Sequence, residues 1–339
     1  MANYANTVLL NALTDLSPEA NKDFRAPAYG ATRAFNDFKR NVITNYDMFA
    51  KQPTEVDLRT QQVDYLRREV QSPGSSRAAS LTGNMGTSTR DTITWVTYAV
   101  EFTLSDDNAR NNTQGAAKQL AAQIKNARLD IGAAVETAAV AKLEAFKNTV
   151  DVSSPLSTWN STDYLNSVAI ANIDRYFNIM EAEMGMRDYN EGLQIINYGT
   201  MNELIRWQEN QGLANSNNLT FQYGNKSFYT SNTITNSSDH RGTSYCVPVN
   251  SLGLIDWIPA KNREGLPNHG IHGFTSMPDP FGIFDTMALA IEYKVQDSSS
   301  IGGNTQDAVW LYELSVDVGF FIPTITTQKL VNKYVLTLA

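Results

Sequence analysis

Residues 113–148 read TQGAAKQLAAQIKNARLDIGAAVETAAVAKLEAFKN, and this stretch decides the fold. Ala117, Leu120, Ile124, Ala127, Ile131, Val135, Ala139, Leu143 and Phe146 recur at steps of three and four. Their mean spacing of about 3.6 is one face of an α-helix. Thr113 is placed to cap its N-terminus. A helix over 113–148 extends roughly 50 Å at about 1.5 Å per residue. Gly132 in its middle marks a bend or a close contact. A coiled coil is the competing reading, but the step is nearer 3.6 than 3.5 and the stripe is rich in alanine.

Working outward, the last third of the chain holds two long alternating segments. Met287, Leu289, Ile291, Tyr293 and Val295 share one face, with Ala288, Ala290, Glu292 and Lys294 on the other. Leu314, Val316, Val318 and Phe320 repeat the pattern against Glu313, Ser315, Asp317 and Gly319. The Ser/Gly/Asn-rich stretch 297–307 joins them. This predicts a long antiparallel pair whose apolar face carries the helix. Upstream, Val63–Val70 and the β-branched run Thr92–Leu104 flank the turn chemistry of Ser72-Pro73-Gly74, predicting a long β-hairpin over 55–104. Such a hairpin is marginal alone and needs a partner surface. Residues 1–50 carry scattered aromatics, among them Phe35 and Phe38, with no sustained period, as an arm lying on something else would. Between the helix and the closing strands, 161–270 reads as mixed α/β. Helices are expected at Asp163–Glu183 and Met201–Gln208. Short strands are expected at Leu193–Asn197, Leu219–Tyr223, Lys226–Tyr229, Tyr245–Val249 and Leu254–Ile258. The fold class is α+β, and no internal repeat recurs at a fixed period.

The chain of 339 residues is 42% hydrophobic and 18% charged, with a net charge of −8. It can build a real core. No run reaches the ~18 apolar residues that span a bilayer. The first residues lack the basic start of a signal peptide. One cysteine, Cys246, rules out an intrachain disulfide. An acidic chain is poorly suited to neutralise phosphates, which argues against nucleic-acid binding as its main task. The charge is uneven, however. Residues 22–90 hold eleven Lys/Arg against seven Asp/Glu, a balance of +4, which leaves −12 for the rest. A basic segment on an acidic chain suggests contact with other copies of the same protein.

The search for chemistry finds no phosphate loop, dinucleotide fingerprint, nucleophile elbow or zinc helix. Of three histidines, His269 and His272 sit among glycines with no carboxylate or Cys at ligand spacing, so no metal site is assigned. Cys246, inside a strand pattern, reads as a small core residue. Asp106-Asp107-Asn108 lacks the Gly and distal Glu of a calcium loop and reads as a capping cluster. No catalytic residue and no cofactor are expected.

The order of elements carries a resemblance. Polar arm, long hairpin, Ala-rich spine helix, α/β insertion and closing strand pair together resemble the major capsid proteins of tailed double-stranded-DNA bacteriophages, with the Hong Kong 97-type fold. Arg77-Ala-Ala-Ser-Leu-Thr-Gly83, Phe102-Thr-Leu-Ser-Asp106 and Gly253-Leu-Ile-Asp-Trp257 are local phrases similar to that family. The resemblance implies an N-terminal arm at 1–54 and an extended loop at 55–104. It implies a peripheral domain from 105–160 and 271–325 with the spine at 113–148, an axial domain at 161–270 and a C-terminal tail at 326–339. Some members cross-link through a lysine of the extended loop. Here no lysine lies between Lys51 and Lys118, so that chemistry is not expected.

On this resemblance the chain assembles with itself, through hexamers and pentamers, into a shell that encloses phage DNA only as contents. Assembly is expected in the host bacterial cytoplasm, with no membrane partner. A portal is expected as a partner, and because arm-like sequence begins at Met1 the scaffolding is expected to be a separate protein or unnecessary. Candidates for contact between copies are Arg67, Arg68, Arg77, Trp95, Tyr98, Phe35 and Phe38. Rival readings are the shell of a cellular nanocompartment with the same fold, an uncharacterised α/β hydrolase-like enzyme, and a phage tail or baseplate protein.

Overall fold

In the computed structural model the described residues are 11–12, 61–66, 88–105, 113–151, 154–187, 189, 192–210, 228–237, 239–258, 273–277, 284, 287–296, 307–323 and 330–338. Along the chain come β1 (Gln61–Leu66), β2 (Ser88–Ile93), β3 (Trp95–Ser105) and helix α1 (Thr113–Ala145). Next are β4 (Thr158–Asn160), β5 (Leu165–Ala169), α2 (Tyr176–Gly185), β6 (Gly192–Asn197) and α3 (Tyr198–Asn210). Then follow β7 (Phe228–Ser231), β8 (His240–Pro248), β9 (Gly253–Trp257) and β10 (Gly273–Met277). The chain closes with β11 (Met287–Gln296), β12 (Asp307–Phe321) and β13 (Asn332–Thr337). The class is α+β.

The spaced stripe folds as the single helix α1. Leu120, Ile124, Val135, Ala139 and Leu143 have no exposed surface, and Ile131 almost none. Burying each Leu or Ile is worth about 1.5–3 kcal/mol, so the stripe alone holds the helix down. The helix lies along β3 and β12, and Met287 and Leu289 of β11 join its apolar cluster, so the face that the sequence assigns to the β11–β12 pair also takes in β3. The reason is the strand order β10-β11-β12-β3, with β9 also on β12. β3 joins β12 over eleven register positions, from Val309 opposite Ser105 to Gly319 opposite Trp95. The hairpin reading of 55–104 is therefore corrected in part. β1 and β2 do pair, from Gln61–Ile93 to Leu66–Ser88, but Trp95–Ser105 belongs to the body of the molecule. The closing strands pair antiparallel as expected, Leu289 opposite Leu314 and Gln296 opposite Asp307.

A second sheet runs in the order β4-β5-β13-β8-β6-β7. β6 and β7 are parallel and α3 lies in the connection between them, as a parallel pair requires a crossover. Asn197 ends β6 and caps α3: its Oδ1 accepts from the Thr200 N–H at 2.8 Å and the Thr243 N–H at 3.1 Å. Gly242 lets β8 pass the first turn of α3, because a Cβ there would lie 2.8 Å from Thr200 N and Cα.

The two faces of this sheet serve two cores. Leu193, Ile195, Tyr245 and Val247 join α1 and the first sheet in one apolar cluster, which also takes in Ala12. Ile196, Cys246, Tyr334 and Leu336 pack with Tyr176, Phe177 and Met180 of α2 in another. Cys246 is wholly buried there, as a small core residue.

Three further expectations change. Asp163–Glu183 is not one helix: Leu165–Ala169 is a strand, a 3₁₀ turn follows at Ile170–Arg175, and α2 begins only at Tyr176. Leu165 and Val168 are buried from a strand paired with β4 and β13, so tertiary pairing overrides the helical spacing. Residues 332–337, expected in a tail, form a strand between β5 and β8. Gly253–Trp257 pairs with β12 in the first sheet rather than joining the insertion's sheet. Leu219–Tyr223, the hairpin tip with Arg77, and His269 and His272 lie outside the described residues.

Candidate assembly surface

The first sheet has two chemically distinct faces because its strands alternate. Tyr98, Val100, Phe102 and Leu104 of β3 turn toward α1 with Tyr312, Leu314 and Val316 of β12. Phe102 stacks on Tyr312 at 5.5 Å between ring centroids. Burial pushes the Tyr312 phenol up to about 12 and the Tyr98 phenol upward as well, so both stay neutral donors. The opposite face carries Thr97, Ala99, Glu101 and Thr103 of β3, all exposed. Glu101 stands directly opposite Glu313. Burial and then the Glu101 charge raise the pKa of Glu313. Beside them Thr97 Oγ1 donates to the buried Asp317.

Of the seven candidate contact residues, the structure describes two. Trp95 is half-buried against Ile93, Ile255 and Phe321, and Tyr98 is half-buried against the α1 core. Both therefore serve the subunit's own packing. Phe35, Phe38, Arg67, Arg68 and Arg77 lie outside the described residues.

Two carboxylates, the half-buried Glu144 and the buried Glu183, act as fasteners. Glu144, near the end of α1, accepts from Tyr245 Oη at 2.6 Å, Lys147 Nζ at 2.6 Å and Lys333 Nζ at 3.0 Å. Burial alone would raise its pKa, but these donors and the Lys333 charge bring it down to about 2. Asn148 continues the seam: its N–H donates to Val331 O at 2.7 Å and its Nδ2 to Asn332 Oδ1 at 3.2 Å. The spine is thereby tied to β8 and β13 of the second sheet. Glu183 of α2 accepts from the Ser154 N–H, Ser157 Oγ, Asn166 Nδ2 and Tyr334 Oη, at 3.0, 2.5, 3.0 and 2.5 Å. Four donors fill its lone pairs and fix it as a structural acceptor. Among the described residues no group of three His, Cys, Asp or Glu side chains is arranged to hold a metal ion. No helix among them is long and apolar enough to cross a membrane.

Sequence reasoning missed the Glu101–Glu313 pair and the Glu144 clamp. Strand alternation already placed Glu313 on a polar face. Only the β3–β12 register, which no local pattern reveals, sets Glu101 against it.

No family model matches the chain, and neither does any curated protein. Solved structures do. A chain of the native GTA (gene transfer agent) particle capsid, computed with C5 symmetry, matches with a TM-score of 0.50 at 12% identity. The match covers 86% of this chain and 91% of that one. The chain has the fold of a GTA capsid chain. The capsid of cyanophage P-SCSP1u gives 0.49 at 11% identity over 91% of this chain and 89% of that one. Mycobacterium phage Che8 gives 0.49 at 8% over 88% and 90%.

Proposed function

We propose that this chain is the major capsid protein of a tailed double-stranded-DNA bacteriophage. On this reading it self-assembles through hexamers and pentamers into a shell around the packaged DNA. The observation that carries the reading is the fold match to the GTA capsid chain over nearly the whole of both chains. The use of titratable side chains as structural fasteners supports it.

In Hong Kong 97-type terms, the first sheet and its spine α1 form the peripheral domain. The second sheet with α2 and α3 forms the axial domain, which gathers at capsomer centres. Residues 1–54 are the arm and 55–94 the extended loop, both reaching to neighbours, with Arg67, Arg68, Arg77, Phe35 and Phe38 among the contacts. β9 joins the peripheral sheet and β13 the axial sheet. The mechanism is assembly without turnover: apolar burial between copies supplies most of the stability, and charge sets register. A portal and a separate scaffolding protein are the further partners, and the host cytoplasm is where the shell forms.

Sedimentation velocity of the expressed protein tests the proposal. A capsid subunit runs as capsomers or shells far above the 37.6 kDa monomer. A single monomeric boundary at assembly-level concentration rejects it. Shells carrying a protein cargo and excluding DNA in the phage-infected host would place the chain in a nanocompartment instead.

A further inference from the structure

The sheet's outer face holds two carboxylates that meet no counter-charge among the described residues. Glu101 on β3 and Glu313 on β12 occupy directly opposed register positions, where side chains stand about 4.5–5.5 Å apart at Cβ. Like charges in that position destabilise a sheet. Among the described residues neither carboxylate has a salt bridge or hydrogen bond. Glu101 is exposed and Glu313 half-buried, so the pair opens to solvent from the β3 side. Glu144, in contrast, is met by two lysines and a tyrosine of its own chain. Among the described residues, counter-charges meet the carboxylate that joins the two sheets and none meets this pair.

We propose that the Glu101–Glu313 pair is a docking point for a cationic side chain of a second copy of this chain, supplied by its basic segment 22–90. This rests on the capsid reading and names a contact that assembly would use. Charge complementarity carries the choice of occupant: 22–90 bears +4 while the remainder of the chain bears −12. A planar guanidinium can bridge two carboxylates at this separation with parallel N–H donors, which a lysine ammonium does less well. Eight of the eleven cations in the segment are arginines. Arg67 and Arg68 are the one pair of adjacent arginines there and are the occupants named. Docking replaces a repulsion by an attraction, so it favours the assembled state over the free subunit.

A charge exchange tests this on the full chain. The E101K/E313K variant should keep wild-type circular dichroism, yet lose at least about tenfold in particle yield by sedimentation. Combining it with R67E/R68E should restore particles toward the wild-type level. The neutral E101Q/E313Q variant covers the case in which two lysines disturb folding. Its free subunit should melt higher than wild type, because the repulsion is gone, while its yield of particles falls. Wild-type yield from E101K/E313K or E101Q/E313Q overturns the docking point, as does absence of recovery in the fourfold variant. In each of those results the wild-type protein still forms particles, so the capsid reading stands apart. If the wild type forms none, that reading itself fails.

Discussion

Glu144 shows how single residues join the two sheets, and its acid titration is a measurable consequence. Burial opposes its charge, but Lys147, Tyr245 and Lys333 hold the carboxylate at a pKa of about 2, below its ordinary value of 4.5. A carboxylate with a depressed folded pKa stabilises the protein above its unfolded value, and the gain is lost as pH falls toward the folded one. The contribution is therefore complete above about pH 5 and fades between 4.5 and 2. Solvent reaches 39% of this side chain, so screening keeps the gain to about 1 kcal/mol or less. Glu144→Gln should lower stability at neutral pH and flatten the acid limb in that window, read by denaturant titration at each pH. Gly242→Ala is a steric counterpart. Its Cβ would meet Thr200 Oγ1 at 2.3 Å and the Thr200 backbone at 2.8 Å. The first turn of α3 must then shift, costing about 1–3 kcal/mol, seen as a lowered thermal midpoint.

At the scale of elements, α1 is the part most open to sequence reading. Its stripe keeps one period from Ala117 to Leu143, and the structure buries every member of that run. Leu120→Ala should cost about 2–5 kcal/mol, because the cavity would lie between α1 and the sheet with no room to collapse. Leu120→Asp should cost more, since it leaves a charge unpaired in an apolar core. Equal stability of either variant in denaturant melts would contradict the packing described. Legibility falls where pairing is non-local. β13 has six residues and no flanking strand signal, yet it sits between β5 and β8. Asp163–Glu183 carries helical spacing at its end, but Leu165–Ala169 is claimed by β4 and β13. Deleting residues 330–339 should abolish cooperative folding of the second sheet, measured by loss of slow-exchanging amides in β5 and β8.

At the scale of the molecule, element order was readable and the assembly surface was not. The spine and the closing pair follow from local patterns and match the structure, while the hairpin does so only in β1 and β2. The Glu101–Glu313 face depends on a strand register set across more than two hundred residues, beyond any local period. Charge asymmetry was readable from counting alone, and it leads to a further expectation. R67E/R68E should leave the subunit folded by circular dichroism while sharply reducing shell formation in sedimentation. The central claim is that this chain builds a closed shell from copies of itself. Electron cryomicroscopy of the expressed protein tests that most directly. The account predicts closed icosahedral or prolate particles whose density is fitted by this chain, with α1 and the first sheet in the shell wall. Isolated monomers alone, at concentrations where capsomers should form, would contradict it.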